Sequence, residues 1–126
     1  DIVVCKDTLH HFSDPKKAMR EMLRVVKKGG MVYVQDLRRD VPWYLLKRVV
    51  SRNNVMEKLI YYSTRAAYTK EEIGKMLISL NIKTFHITTR KVTEALRKKY
   101  KQKQINIPLL RQGFVSRYAL VIKRKN

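Results

Sequence analysis

The sequence predicts an α/β domain, and three observations carry that prediction. Two short apolar runs, Ile2–Cys5 (IVVC) and Met31–Val34 (MVYV), stand on either side of one amphipathic stretch. A helix-capping signature opens at Thr69, and two further strand patterns follow it. Unbroken apolar runs of this length are the pattern of strands buried on both faces in a parallel sheet.

Each element has a local reason. After Ile2–Cys5 and the loop Lys6–Ser13, the pair Asp14–Pro15 gives a helix start: Asp14 can cap free N–H groups and Pro15 suits the first helical position. Met19, Met22, Leu23 and Val26 recur at helical spacing and form one apolar face. Lys27 and Lys28 suit the negative end of the helix dipole, and Gly29 can take a left-handed stop conformation. Strand, helix and strand in this order make a right-handed βαβ crossover.

Residues 37–68 read as a helical insertion rich in Trp43, Tyr44, Tyr61, Tyr62 and Tyr68. Pro42–Trp43 opens one helix, with Leu45, Leu46, Val49 and Val50 facing inward; Val55, Met56, Leu59, Ile60 and Ser63 suggest another. This pair is a packed insertion, a lid over a substrate pocket, or both. Thr69-Lys70-Glu71-Glu72 matches a capping box, Ile73, Met76, Leu77 and Leu80 make its helix amphipathic, and Asn81 ends it. Ile82–Thr88 is the next strand, Lys91–Gln104 a heavily charged helix, and Arg117–Lys123 (RYALVIK) the last strand.

Composition bounds the function. The 126 residues suffice for one small core, and no run approaches the roughly 20 apolar residues of a membrane span. The single cysteine, Cys5, excludes an internal disulfide and a cysteine zinc cage, which agrees with a cytoplasmic setting. Neither His10, His11 nor His86 has helical ligand spacing, so no metal site is expected. Lysine and arginine total 29 against 10 aspartate and glutamate, a net charge of +19. Such an excess draws nucleic acid, anionic lipid or acidic substrates, unless further acidic sequence balances it.

Asp1–Asp40, DIVVCKDTLHHFSDPKKAMREMLRVVKKGGMVYVQDLRRD, resembles the second half of a class I S-adenosylmethionine-dependent methyltransferase domain, nearest the ubiquinone/menaquinone type. Its marks are a strand ending before an L-H-H-F loop, then D-P, then R-V-V-K-K-G-G entering the next strand. Thr69–Ile82 looks like that family's next helix, and the two later strands like its closing antiparallel hairpin.

The resemblance implies that residues 1–126 are one partial Rossmann-like methyltransferase domain, carrying the last four strands of the family's sheet. The Gly-rich turn and the ribose-binding acid that grip the cofactor in the family are not in this text, so the chain alone is expected to bind S-adenosyl-L-methionine weakly or not at all. The strand at residues 1–5 would then be an apolar edge, paired with the missing N-terminal half or with another copy.

Ligands of open α/β sheets sit beyond the carboxyl ends of the strands. By resemblance, Cys5, Lys6, Asp7 and Leu9 border the cofactor, largely through backbone, and His10 and His11 face the transferring methyl group. Either histidine can serve as proton acceptor; equally, one orients the loop by hydrogen bonding and the other is exposed. Asp36, Arg38, Arg39 and Trp43 point to the same opening as substrate contacts. Arg38 and Arg39 could hold an acidic group, or be solvated charges paired with Asp36 and Asp40. Cys5 reads as a packing residue.

The methyl acceptor is left open, as a small molecule, a quinone precursor or RNA. A different class of function, a nucleic-acid-binding module, rests on the net charge and on Arg97, Lys98, Lys99, Tyr100 and Lys101, where cations would neutralise phosphate and the tyrosine stack on a base. A solvated helix face explains the same residues. A non-catalytic partner subunit is the third class.

Overall fold

A computed structural model describes residues 1–41, 55–89 and 117–125. Strand β1 (Ile2–Lys6) leads through a 3-10 turn (Leu9–His11) into helix α1 (Pro15–Val25) and strand β2 (Met31–Leu37). Helices α2 (Val55–Ala66) and α3 (Lys70–Ser79) follow, then β3 (Phe85–Thr89) and β4 (Arg117–Lys123). The expected helices at Pro42–Val50 and Lys91–Gln104 lie outside the described residues.

The four strands form one sheet in the order β1-β2-β4-β3. β1 and β2 are parallel, with Val3 beside Val32 and Cys5 beside Val34. β4 runs antiparallel to both β2 and β3, so the last strand is inserted between them. This is the mixed α/β sheet, a parallel pair plus an antiparallel hairpin, that the sequence predicts.

The local signals act as expected. Asp14 accepts the Lys17 backbone N–H at 2.9 Å and Pro15 is the first residue of α1. Gly29 takes φ 77°, the left-handed turn that lets the chain reverse into β2. Thr69 and Glu72 make a full capping box, at 3.1 Å and 3.0 Å. Asn81 takes φ 60° beyond the end of α3. The third strand starts at Phe85, three residues later than the apolar pattern begins.

The core is one-sided. Val32 and Val34 of β2 and Tyr118, Leu120 and Ile122 of β4 are the buried alternate positions. They form a single cluster with Met19 and Val26 from the first helix region and Ile73, Met76 and Leu77 from α3. Alternation of period two places all of them on one sheet face.

One expectation needs correction. Ile2–Cys5 is not buried on both faces: Ile2 and Val4 are 60% and 63% exposed, because β1 pairs only with β2 among the described residues and one of its faces is bare. In α2, Val55 and Leu59 point outward, as does Tyr62, while Thr64 and the following Ala67 are buried. A helical stripe fixes which residues share a face, but the neighbours decide which face is covered.

Candidate functional site

The carboxyl ends of β1 and β2 lie side by side, and a loop crosses them. It begins at Asp7, whose φ of 52° is left-handed, a conformation that aspartate tolerates better than most residues. The Asp7 N–H donates to the Gln35 carbonyl at 2.8 Å, tying the loop to β2. Thr8 Oγ1 donates back to the Lys6 carbonyl at 2.6 Å. Leu9, at 0% exposure, then drops into the core and pins the 3-10 turn.

The two adjacent histidines part here. The His10 backbone N–H donates to Asp36 Oδ2 at 2.8 Å, and its Nδ1 meets Asp36 Oδ1 at 2.7 Å. A carboxylate oxygen accepts, so Nδ1 is the donor of this contact. Asp36 also takes the Leu37 N–H at 2.8 Å, so three donors compensate its burial. The His10 and Asp36 side chains are 3% and 1% exposed. His11 is exposed and its ring lies against that of His10, centroids 3.9 Å apart.

Tyr118 is the cross-strand partner of Asp36 and is fully buried. Among the described residues, neither its hydroxyl nor His10 Nε2, both buried, has a hydrogen-bond partner. Burial pushes the Tyr118 hydroxyl pKa far up, and the nearby charge of Asp36 adds to this. Burial likewise raises the Cys5 thiol, with Asp36 again contributing, so Cys5 stays a protonated packing residue. Tyr68 is shifted upward by burial first, then by Glu72 and Asp36.

The expected cluster of substrate contacts is only partly present. Asp36 faces inward and does not pair with the arginines. Arg38 instead chelates Asp40 with bonds of 2.8 Å and 3.1 Å. Arg39 bonds the Ala67 carbonyl at 3.0 Å and pairs with Glu72 of α3. Glu72 is held below its ordinary carboxyl value, first by the Thr69 N–H and then by Arg39. Leu9 is likewise spent on packing and offers no side chain to a ligand, whereas Lys6 is exposed and Asp7 half-buried. Trp43 and the cationic stretch Arg97–Lys101 lie outside the described residues.

One contact had no signal in the sequence. Arg117, the first residue of β4, reaches Asp7 with Nε at 2.6 Å from Oδ1 and Nη2 at 3.2 Å from Oδ2. The two residues are 110 positions apart, so no motif spacing links them. Among the described residues, no group of three or more histidines, cysteines or acids converges as a metal site, and no helix is long and apolar enough to cross a membrane.

Comparison with known proteins agrees with this geometry. Residues 1–34 match the family described as "Methyltransferase domain". The uncharacterized methyltransferase YcgJ of Bacillus subtilis is 47% identical over 36 residues, 29% of this chain and 14% of that protein. A ubiquinone biosynthesis O-methyltransferase of Pseudomonas putida is 39% identical over 46 residues, 36% of this chain and 20% of that protein.

Among solved structures, the plantazolicin methyltransferase BpumL, in complex with a triazolic desmethylPZN analog and SAH, superposes with a TM-score of 0.62 at 18% identity, covering 99% of this chain and 53% of its own. A possible histamine N-methyltransferase of Thermotoga maritima gives a TM-score of 0.61 at 18% identity, with 99% and 56% covered. The chain thus spans about half the length of these solved proteins. At such identities the likeness establishes the Rossmann-like fold.

Proposed function

We propose, from the place of this chain among the class I S-adenosylmethionine-dependent methyltransferases, that it supplies the acceptor side of a methyl-transfer site. The observation that carries this reading is the match of residues 1–34, the stretch that builds the parallel pair and the loop over its carboxyl ends. S-Adenosylmethionine is the cofactor of the family. When bound, it supplies an activated methyl group on a sulfonium. The described residues fit part of it: Lys6 and Thr8 stand exposed on the rim on either side of the half-buried Asp7, while Cys5 and Leu9 contribute packing beneath.

The two histidines divide the work in this reading. His10, gripped twice by Asp36, is a positioning residue that sets the path of the turn. His11, one residue on and exposed, is the group that an acceptor can reach. Its imidazole takes the proton released when an acceptor O–H or N–H becomes the new bond to carbon. Proximity supplies the rest, since a displacement at carbon needs its partners in line. The identity of the acceptor is open to a small molecule or to RNA; the net charge of +19 favours an anionic one.

The test is calorimetric titration of S-adenosylhomocysteine into the protein in its full encoded length, beside the variants His10→Ala and His11→Ala. We expect binding in the wild type. His11→Ala should leave stability within about 0.5 kcal/mol, and His10→Ala should lower it by about 1–3 kcal/mol by removing the one side-chain donor among the three that hold the buried Asp36 carboxylate. Absence of binding by the wild-type protein at millimolar ligand sinks the methyltransferase reading. The reverse order of stabilities sinks the division of roles.

A further inference from the structure

We infer that Arg117 is a positioning residue for the ligand end of the sheet, acting through Asp7. The argument starts from backbone. The chain leaves β1 through a left-handed residue that is not glycine, φ 52° at Asp7, and such a conformation persists only where its surroundings hold it. One hold is the N–H bond to Gln35. The other is the two-pronged guanidinium of Arg117, at 2.6 Å and 3.2 Å.

Topology makes this grip unusual. β4 neighbours β2 and not β1, and Arg117 stands opposite Leu37, the last residue of β2. Its side chain therefore passes over the end of β2 to reach the end of β1. The Arg117 side chain is 13% exposed and that of Asp7 38%, so the pair is partly shielded and two-pronged, unlike the single-point surface pairs that contribute little. One residue along, Tyr118 stands opposite Asp36, which grips His10. The start of β4 thus lies beside both anchors of the loop from Asp7 to His11.

What the loop does is taken from the methyltransferase reading, on which this inference rests. Fixing Asp7 fixes the open rim from Lys6 to Thr8 and, beyond it, the exposed ring of His11. Lysine at 117 would keep the charge and lose the fork, because an ammonium cannot present two parallel N–H groups to one carboxylate.

A double-mutant cycle with two readouts tests it. Arg117→Gln, Asp7→Asn and the combination are compared by amide hydrogen exchange and by S-adenosylhomocysteine titration; Arg117→Lys serves if Arg117→Gln does not fold. The reporting amides are Asp7, His10, His11 and Phe12, with Val32 and Val34 as references. Each single substitution should speed exchange of the loop amides at least about tenfold against the references and weaken binding about tenfold, and the double should be no worse than the worse single.

Unchanged loop exchange in the single variants overturns the inference. So does full additivity in the double, which would mean that Arg117 acts on the ligand by itself. If the wild type binds no S-adenosylhomocysteine, the functional reading falls, while the exchange cycle still decides whether Arg117 holds the loop.

Discussion

β1 and β2 begin from nearly the same text, IVVC and MVYV, and end in different environments. Along β2 Val32, Val34 and Asp36 are fully buried, the residues alternating with them from Met31 to Gln35 are half-covered, and Leu37 at the end is buried as well. Along β1 only Cys5 is buried, while Ile2 and Val4 are mostly exposed. Apolar composition alone does not make a strand interior. β2 has a strand on each side, whereas β1 has one neighbour among the described residues. The strand with two neighbours also carries the buried carboxylate of Asp36, whose charge is met by donors from the loop at His10 and from the following residue, Leu37.

That contrast can be broken in three places. Asp36→Ala should cost most, about 3–5 kcal/mol, since it strands two backbone N–H groups and the His10 ring in an apolar setting. Chemical denaturation would report it, and a loss under about 1 kcal/mol would mean that the cluster is not the anchor described. Val34→Ala in β2 should cost about 2–3 kcal/mol, from lost burial and the cavity left behind. The same substitution at Val4 in β1 should cost less than about 1 kcal/mol. Equal losses at the two valines would show that β1 is covered in solution, and would make its exposed face an interface.

The candidate site was legible in its parts and not in its wiring. The pair His10–His11 stands out in the sequence, and the structure gives its members different places, His10 hydrogen-bonded to Asp36 and His11 exposed. Which is which depended on Asp36, 26 residues away. From its place in the sequence Asp36 is a candidate substrate contact or, with Asp40, a partner for Arg38 and Arg39, and only Asp40 takes the latter part, with Arg38. The structure turns Asp36 inward instead, since it occupies the buried alternation of β2 after Val32 and Val34. Leu9, on the same loop as His10 and by resemblance a neighbour of the cofactor largely through backbone, has its side chain in the core.

The sequence by itself determined the helix starts and stops, the strand-helix-strand order and the class of sheet. Those depend on groups within a turn of each other: Asp14 on Lys17, Thr69 on Glu72, a left-handed Gly29 or Asn81. Only the tertiary structure decided that β4 enters between β2 and β3, that Arg117 reaches Asp7, and that His10 rather than His11 is enclosed. The reason is physical: burial and charge pairing act through space, and their strength depends on neighbours that the chain brings together only when the sheet has formed.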